Sequence, residues 1–286
     1  MGLYTTNKYT CKLTKVHFSF KVTSTPSCIR QNDVEFASVD VGILGMAVVS
    51  PDILLVSVHD LQKVQLVITR TGHVASEVEL QSNPRGLCLT RGDQAVVTVV
   101  GKKVQIINVS GLTLNMGIAI DVQKEALGIT KIGDASFVLS YDDSPWLEVI
   151  TIEGKVVHQY DKNGTSKHFK RPDFLTTPVD GFIYVSDCGT TTITKLNSSL
   201  QQLQTFSSPL LSWPQGIIFI NPGQLLVCNT NDHRIVLMNT NTGMSSILLE
   251  KQDGIKYPRS LSYCPERKML YVAPWWTNSL KLYRLP

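Results

Sequence analysis

The alternation of hydrophobic and polar residues follows one recurring unit, which is clearest between Arg171 and Leu196. A short apolar strand is predicted at residues 174–176, followed by a hairpin turn at residues 180–181 and a second strand at residues 182–186. A polar loop then leads to a third alternating strand at residues 191–196. Three short strands cannot bury both faces of their sheet alone, so this unit predicts neighbouring copies of itself.

Equivalent apolar strands recur at intervals of about 41 to 46 residues, a spacing typical of propeller blades. The six copies open near Gly45, Gly86, Gly128, Phe174, Gly216 and Ser260. Each of the first five copies continues with three further apolar runs, and no stretch sustains the period of an α-helix. The sequence therefore predicts an all-β, six-bladed β-propeller with four-stranded antiparallel blades.

The two ends of the repeat array differ from its interior. The last copy ends near Leu285 after its third strand, while residues 12–22 alternate apolar and polar side chains outside the six copies. We therefore expect this N-terminal strand to complete the sheet of the last blade and close the ring. Residues 23–40 are predicted to form a connecting loop, with or without one extra short strand. The predicted division is a tail at residues 1–14 and one propeller domain at residues 15–286.

Several repeats share a pattern in which a proline precedes the first strand and an acidic or amide residue follows the second. The best matches are Ile183–Asp187 (IYVSD), residues 214–220 (PQGIIFI) and residues 225–229 (LLVCN). These segments resemble the NHL repeat, and nearly the whole chain resembles the C-terminal NHL propeller of a tripartite-motif (TRIM) protein. NHL propellers bind RNA or proteins and are occasionally enzymes, so the resemblance implies the fold more strongly than the function.

The resemblance implies a non-catalytic recognition platform that binds a protein partner or single-stranded RNA for a TRIM-type ubiquitin ligase system. We expect any ligase activity to come from RING and B-box modules or from a partner, because no cysteine and histidine cluster with zinc-module spacing occurs here. A parent ligase would oligomerise through domains outside this chain. The alternative is a six-bladed propeller enzyme, either a metal-dependent hydrolase or a lyase.

Several sequence features count against catalysis. Calcium-dependent propeller hydrolases line their channel with carboxylates, whereas the predicted innermost strands, GMAVV, GLCLT, GITKI, FLTT, GIIFI and SLSYC, contain no acid. No H-E-x-x-H or G-x-S-x-G motif occurs. Asp187 and Asn229 follow second strands, where they are expected to accept backbone N–H bonds from the next turn, with a catalytic or metal-binding role as the alternative. We expect no catalytic residue, metal or small-molecule cofactor.

In a propeller, the loops between blades and the loops between second and third strands share one rim, which we call the loop face. All four tryptophans and many basic residues are predicted to lie there. The candidate binding residues are Arg85, Lys102, Lys103, Trp146, Arg171, Trp213, Arg234, Tyr257, Arg259, Trp275 and Trp276. Large aromatic side chains on loops favour a binding surface, with packing against a neighbouring blade as the alternative.

The residue types on the loop face leave the class of ligand open. Arginines interleaved with aromatic rings suit single-stranded RNA, because bases stack on rings and phosphates pair with guanidinium groups. Acidic residues share the same rim, and the net charge of +4 is smaller than a strongly basic nucleic-acid footprint. Mixed charge with tryptophan suits a protein partner at least as well. A solvated rim that binds nothing is the remaining alternative.

No segment is predicted to enter a membrane. The opening residues MGLYTTNKYT lack the apolar core and cleavage site of a signal peptide. No apolar run approaches the roughly 18 residues of a membrane span. We therefore expect no membrane partner and a cytoplasmic location.

Overall fold

A computed structural model of the chain describes the backbone of residues 34–35 and residues 41–90, 93–142, 144–160, 168–276 and 279–286. Within these residues the β-strands form six four-stranded sheets, accompanied by one 3-10 turn at Lys251–Asp253. All pairings between neighbouring strands in these sheets are antiparallel, for example those of Gly45 with Ser57 and of Leu175 with Val185. The prediction of an all-β, six-bladed propeller is confirmed.

In each of the first five blades, four consecutive strands pair in chain order from the innermost to the outermost. The strands of blades one to three are β2 (Ile43–Ser50), β3 (Ile53–Val58), β4 (Lys63–Ile68), β5 (His73–Glu79), β6 (Pro84–Leu89), β7 (Gln94–Val99), β8 (Lys103–Ser110), β9 (Thr113–Asp121), β10 (Ala126–Ile132), β11 (Ser136–Tyr141), β12 (Leu147–Thr151) and β13 (Val156–Gln159). The strands of blades four and five are β14 (Pro172–Thr176), β15 (Ile183–Asp187), β16 (Thr192–Leu196), β17 (Gln202–Phe206), β18 (Pro214–Asn221), β19 (Gln224–Asn229), β20 (Arg234–Asn239) and β21 (Ser245–Leu249).

The sixth blade combines strands from both ends of the described chain. Its strands are β22 (Pro258–Cys264), β23 (Met269–Pro274), β24 (Ser279–Arg284) and β1 (Val34–Glu35). β1 runs antiparallel to β24, with Val34 opposite Leu280 and Glu35 opposite Ser279. Closure by an N-terminal strand is therefore confirmed.

The predicted position of the closing strand was wrong. Residues 12–22, which were expected to supply it, lie outside the described residues, and β1 comes instead from residues 23–40, which were predicted as a connecting loop with or without one extra short strand. A strand of two residues is too short to show an alternating pattern. It also pairs at a sheet edge through backbone groups, which the sequence does not reveal.

The hydrophobic core lies mainly between blades. Leu54 of the first blade packs in one cluster with Tyr271 and Leu282 of the sixth blade. Leu55, which points to the opposite side of the same strand, packs with Val97 of the second blade. Neighbouring blades therefore cover both faces of β3, the second strand of its blade. This explains why the second strand of each blade is almost continuously apolar. Full burial of one such side chain contributes about 1.5–3 kcal/mol.

Neighbouring innermost strands approach each other closely where the sequence places glycine. A Cβ atom on Gly128 would collide with the carbonyl oxygen of Asp173 in the next blade. A buried hydroxyl bridges the same joint, because Ser140 Oγ donates to that carbonyl oxygen at 3.1 Å. Thr98 Oγ1 donates in the same way to the carbonyl oxygen of Leu127 at 2.8 Å. These contacts hold the innermost strands side by side around the central channel.

Candidate functional site

The innermost strands surround a central channel whose loop-face end is lined by predicted binding residues. A cavity of about 210 Å³ lies at this end, where the innermost strands begin. We define the mouth site as the five predicted residues in its wall, Arg85, Arg171, Arg259, Trp275 and Trp276. The fold thus gathers side chains from three blades that are widely separated in the sequence.

Arg259 supports the mouth site from below. Its side chain is buried, and its guanidinium carbon lies 3.5 Å from the centre of the Trp275 ring. Arg259 Nη1 donates to Gln215 Oε1 at 3.2 Å. Burial lowers the pKa of Arg259 to about 10, so the side chain stays charged near neutral pH. The buried guanidinium therefore holds Trp275 in place through a cation–π contact.

Asp173 is an acid on an innermost strand, which corrects the expectation that these strands contain none. The strand begins at Pro172, two residues earlier than predicted, and its register shifts between Pro172 and Phe174. Such a bulge obscures the alternating pattern from which the strand was predicted. Asp173 is 1% exposed, and it lies behind the mouth site rather than on its surface.

The Asp173 carboxylate is enclosed by partners. Its Oδ1 lies 3.3 Å from Arg171 Nε, and its Oδ2 accepts hydrogen bonds from Cys188 Sγ and Gln215 Nε2, each at 3.3 Å. Burial raises the pKa of Asp173, and this effect exceeds the lowering by Arg171 and Arg259. The arrangement ties the arginines of the mouth site to the wall of the channel.

Arg85 is paired with an acid at the rim. Its Nη2 lies 2.9 Å from Asp142 Oδ2, and its Nη1 donates to the carbonyl oxygen of Ala126 at 3.4 Å. The Arg85 side chain is largely buried, so solvent screens the attraction between Arg85 and Asp142 less than it would at an exposed site. Asp60 also lines the cavity. The mouth site is therefore a surface of mixed charge.

Two aromatic side chains beside the cavity are exposed. Trp276 is 58% exposed and Tyr257 is 53% exposed. The backbone N–H of Trp275 donates to the carbonyl oxygen of Tyr257 at 2.7 Å, so the two loops are joined. The Tyr257 ring packs edge-on against His233, with 4.2 Å between ring centres. These contacts fix the backbone and leave aromatic surface available to a ligand.

Asp187 and Asn229 hold the loops around the site through hydrogen bonds to backbone groups. Asp187 accepts backbone N–H bonds from Lys170 and Arg171, at 2.7 and 3.0 Å, and from the turn that follows its own strand. Asn229 accepts from the backbone N–H of Ser212 and donates to the carbonyl oxygen of Leu210. The predicted acceptance of backbone N–H bonds from the next turn is confirmed for Asp187. Asn229 differs, because the backbone N–H bond that it accepts comes from Ser212, in the loop before its blade. Through Asp187, the loop that carries Arg171 is attached to β15.

The other predicted binding residues do not line the cavity. Trp213 is half-buried next to it, with its ring centre 5.7 Å from the guanidinium carbon of Arg171. Trp146 packs against the core between blades two and three, and Lys124 Nζ lies 3.7 Å from its ring centre. Lys103 Nζ lies 3.8 Å from Asp121 Oδ1. Lys102 in the turn before β8 and Arg234 at the start of β20 also lie apart from the cavity wall.

Two further properties concern the whole described part of the chain. Among its residues, no group of three or more His, Cys, Asp or Glu side chains is arranged to hold a metal ion. No helix in the same residues has the length and apolar character needed to cross a membrane.

Comparison with known proteins identifies the fold. No model of a known protein family matches the chain, and no curated protein matches it in sequence. A streptogramin B lyase structure is 15% identical, with a TM-score of 0.66 over 89% of this chain and 87% of that chain. Virginiamycin B lyase from Staphylococcus aureus is 16% identical, with a TM-score of 0.63 over 89% of this chain and 88% of that chain.

A structural genomics protein of unknown function from Bacteroides thetaiotaomicron shows a similar level of likeness. It is 14% identical, with a TM-score of 0.72 over 89% of this chain and 72% of that chain. At these identities the likeness carries the fold alone. The six-bladed propeller is therefore established, and the function has to be argued from the site.

Proposed function

We propose that this propeller is a non-catalytic recognition platform that binds a protein partner at the mouth site. The observation that carries the proposal is a pair of exposed aromatic side chains, Trp276 in the cavity wall with the arginines and Tyr257 in the loop bonded to Trp275 beside it. Tryptophan, tyrosine and arginine are the residues that most often dominate the energy of protein interfaces. The rigid blades below them would present these side chains in fixed positions.

The charges at the site favour a protein over RNA. Arg85 is paired with Asp142, and Arg171 lies next to Asp173. A phosphate backbone would have to compete with these carboxylates for the guanidinium groups. A protein surface can satisfy acidic and basic groups together, so mixed charge suits it better.

Single-stranded RNA is the second candidate. The stacking of Arg259 on Trp275, at 3.5 Å, is the observation that favours it. Alternating guanidinium groups and rings form platforms on which unpaired bases stack. We expect this candidate to be weaker, because Arg259 is buried and its ring partner is only partly exposed.

We further propose that the platform belongs to the NHL type and serves a TRIM-type ubiquitin ligase system in the cytoplasm. The matches to the NHL pattern at β15, β18 and β19 support this assignment. Ubiquitin transfer would then require a module or partner outside this chain. Purified protein should show no ubiquitin transfer with activating and conjugating enzymes alone, and transfer by this chain would contradict the assignment.

The binding proposal is tested by affinity capture with Trp276→Ala and Tyr257→Ala variants. Leu203→Ala is the control, because Leu203 is 50% exposed on the outer strand of another blade. A protein retained by the wild type and the control but lost by both aromatic variants would support the proposal. Equal capture by all four proteins would refute the mouth site.

The RNA candidate is tested with the same proteins and a pool of random single-stranded RNA at two salt concentrations. Binding that weakens with salt and is lost in Trp276→Ala would favour RNA as the ligand. Arg259→Ala is unsuitable as the diagnostic variant, because removing a buried guanidinium would also disturb Trp275 and Gln215.

A further inference from the structure

A second cavity lies on the rim opposite the loop face, at the joint between the first and sixth blades. Its volume is about 340 Å³. We define the seam pocket by its four charged residues, Asp52, Arg70, Arg267 and Arg284. They come from turns and strand ends on the tight-turn side of the two blades, so the pocket is separate from the mouth site.

Asp52 orients two of the arginines. Its Oδ1 accepts a hydrogen bond from Arg70 Nε at 2.8 Å, and its Oδ2 accepts one from Arg267 Nη2 at 2.6 Å. One carboxylate thus positions two guanidinium groups and neutralises one of them. The side chains of Arg70 and Arg267 keep exposed fractions of 63% and 32%, so both remain open to a ligand.

Arg284 adds a third guanidinium to the same pocket. It is exposed at the end of β24, where its backbone pairs with Met269, and its side chain makes no hydrogen bond or ion pair with the residues that the structure describes. Three arginines and one aspartate leave the pocket with a formal charge of two positive units. Nε of Arg267 is also buried without a hydrogen-bond partner in the described part of the chain.

The floor of the seam pocket carries two hydroxyl groups. Tyr271 and Thr69 are both buried in its lining, and Tyr271 Oη lies 3.5 Å from Thr69 Oγ1. This distance marks a weak hydrogen bond, which leaves both groups able to turn to another acceptor. Burial raises the pKa of Tyr271, so its hydroxyl remains a donor near neutral pH. The charged donors of the arginines and the neutral donors of the two hydroxyl groups therefore line the same cavity.

We propose that the seam pocket binds a phosphate monoester group. A phosphate monoester carries close to two negative charges at neutral pH, which matches the formal charge of the pocket. Its oxygens suit the planar, forked donors of arginine, and hydroxyl groups commonly complete such sites. A ligand with one carboxylate in place of the phosphate would leave one positive charge of the pocket unmatched. The phosphate belongs either to a phosphorylated side chain or to a small soluble molecule.

Isothermal titration calorimetry with two probes tests the proposal. The probes are inorganic phosphate and a capped Gly-phosphoserine-Gly tripeptide, with the unphosphorylated tripeptide as the blank. We expect a phosphorylated probe to bind the wild type, and Arg284→Ala to weaken that binding by about tenfold, because a charge-assisted hydrogen bond is lost. Lys251→Ala removes the same charge from an exposed residue in the 3-10 turn after the fifth blade and should leave the affinity unchanged.

A second pair of variants tests the role of the carboxylate. Asp52→Asn removes the charge that competes with the phosphate, so the variant should bind the probe more tightly than the wild type. Asp121→Asn is the matched control, because Asp121 is highly exposed on another blade. Melting temperatures show whether each variant is folded. Arg284→Ala keeps the proposal testable even if Asp52→Asn unfolds, since the Arg284 side chain has no hydrogen-bond or ion-pair partner among the described residues to lose, and alanine keeps the backbone pairing with Met269.

The outcomes separate the two sources of phosphate. Tighter binding of the phosphoserine tripeptide than of inorganic phosphate would support a phosphorylated chain, and equal or tighter binding of inorganic phosphate would support a small soluble ligand. Absence of binding by either probe would overturn the proposal, as would equal weakening by Arg284→Ala and Lys251→Ala. None of these results bears on the mouth site, whose variants lie on the opposite rim.

Discussion

The Asp187 carboxylate joins the loop before the fourth blade to the turn after that blade's second strand, and its removal should loosen both. Oδ1 accepts backbone N–H bonds from Arg171, Gly189 and Thr190 at 3.0, 2.8 and 3.0 Å. Oδ2 accepts the bond from Lys170 at 2.7 Å. Asp187 itself is fully buried. Asp187→Ala would therefore leave four backbone donors without their acceptor.

The expected cost follows from these four bonds. A hydrogen bond to a charged group contributes about 1.5–3 kcal/mol, but N–H groups near the rim recover part of this by binding water. We therefore expect Asp187→Ala to lower the free energy of unfolding by about 3–5 kcal/mol. Asp187→Asn keeps one side-chain oxygen for the three Oδ1 bonds and loses the bond from Lys170. Its expected cost is about 1–2 kcal/mol.

Urea unfolding followed by tryptophan fluorescence measures both variants. Asp180→Ala is the control, because exposed Asp180 accepts one backbone bond, from Phe182 at 3.2 Å, at the other end of the same blade. Its cost should stay below about 1 kcal/mol. A cost for Asp187→Ala as small as that of the control would refute the reasoning. So would an equal cost for Asp187→Asn and Asp187→Ala, because the difference rests on the three retained bonds.

Three further predictions concern the channel wall and the core. Gly128→Ala should lower the free energy of unfolding by about 2 kcal/mol or more in urea titrations, because the added Cβ meets the carbonyl oxygen of Asp173; an unchanged midpoint would contradict this. Cys228 is fully buried with a raised thiol pKa, so peptide mapping after iodoacetamide treatment should show its alkylation only in denaturant. Burial raises the pKa of Asp173, so the stability that its protonated form contributes is lost as pH rises past the ordinary carboxyl range; Asp173→Asn should therefore lose less stability than the wild type between about pH 4 and about pH 7. An equal loss in both proteins would contradict the sign of that shift.

The fold was predictable because its physical causes recur in the sequence. Second strands such as β3 and β15 are covered on both faces, so they show as continuous apolar runs. Glycines such as Gly128 recur at the innermost strands because neighbouring backbones touch there. Each cause recurs about once per blade, so six weak signals at one spacing reinforce each other.

The candidate site was less predictable. The sequence assigns a residue to a rim, but not to a position around that rim or to a depth within it. Lys102 and Trp146 were expected on the loop face with Arg259, yet neither lines the cavity, and Arg259 itself is buried. Asp173 was missed because a bulge at the start of β14 shifts the register. The sequence does not predict the seam pocket, because Asp52 and Arg267 are neighbours only in the closed ring.

The pairing of β1 with β24 also constrains how the protein folds. Val34 and Leu280 lie near opposite ends of the chain, whereas the other ladders join strands that are neighbours in sequence. Local hairpins form quickly, and closing a loop of nearly the full chain length has a larger entropic cost. β1 is synthesised before the blades, and it cannot pair until β24 of the last blade has been made. Until then the edge of β24 stays open to any other strand, so ring closure is the step at which misfolding and exchange between copies compete with the native fold.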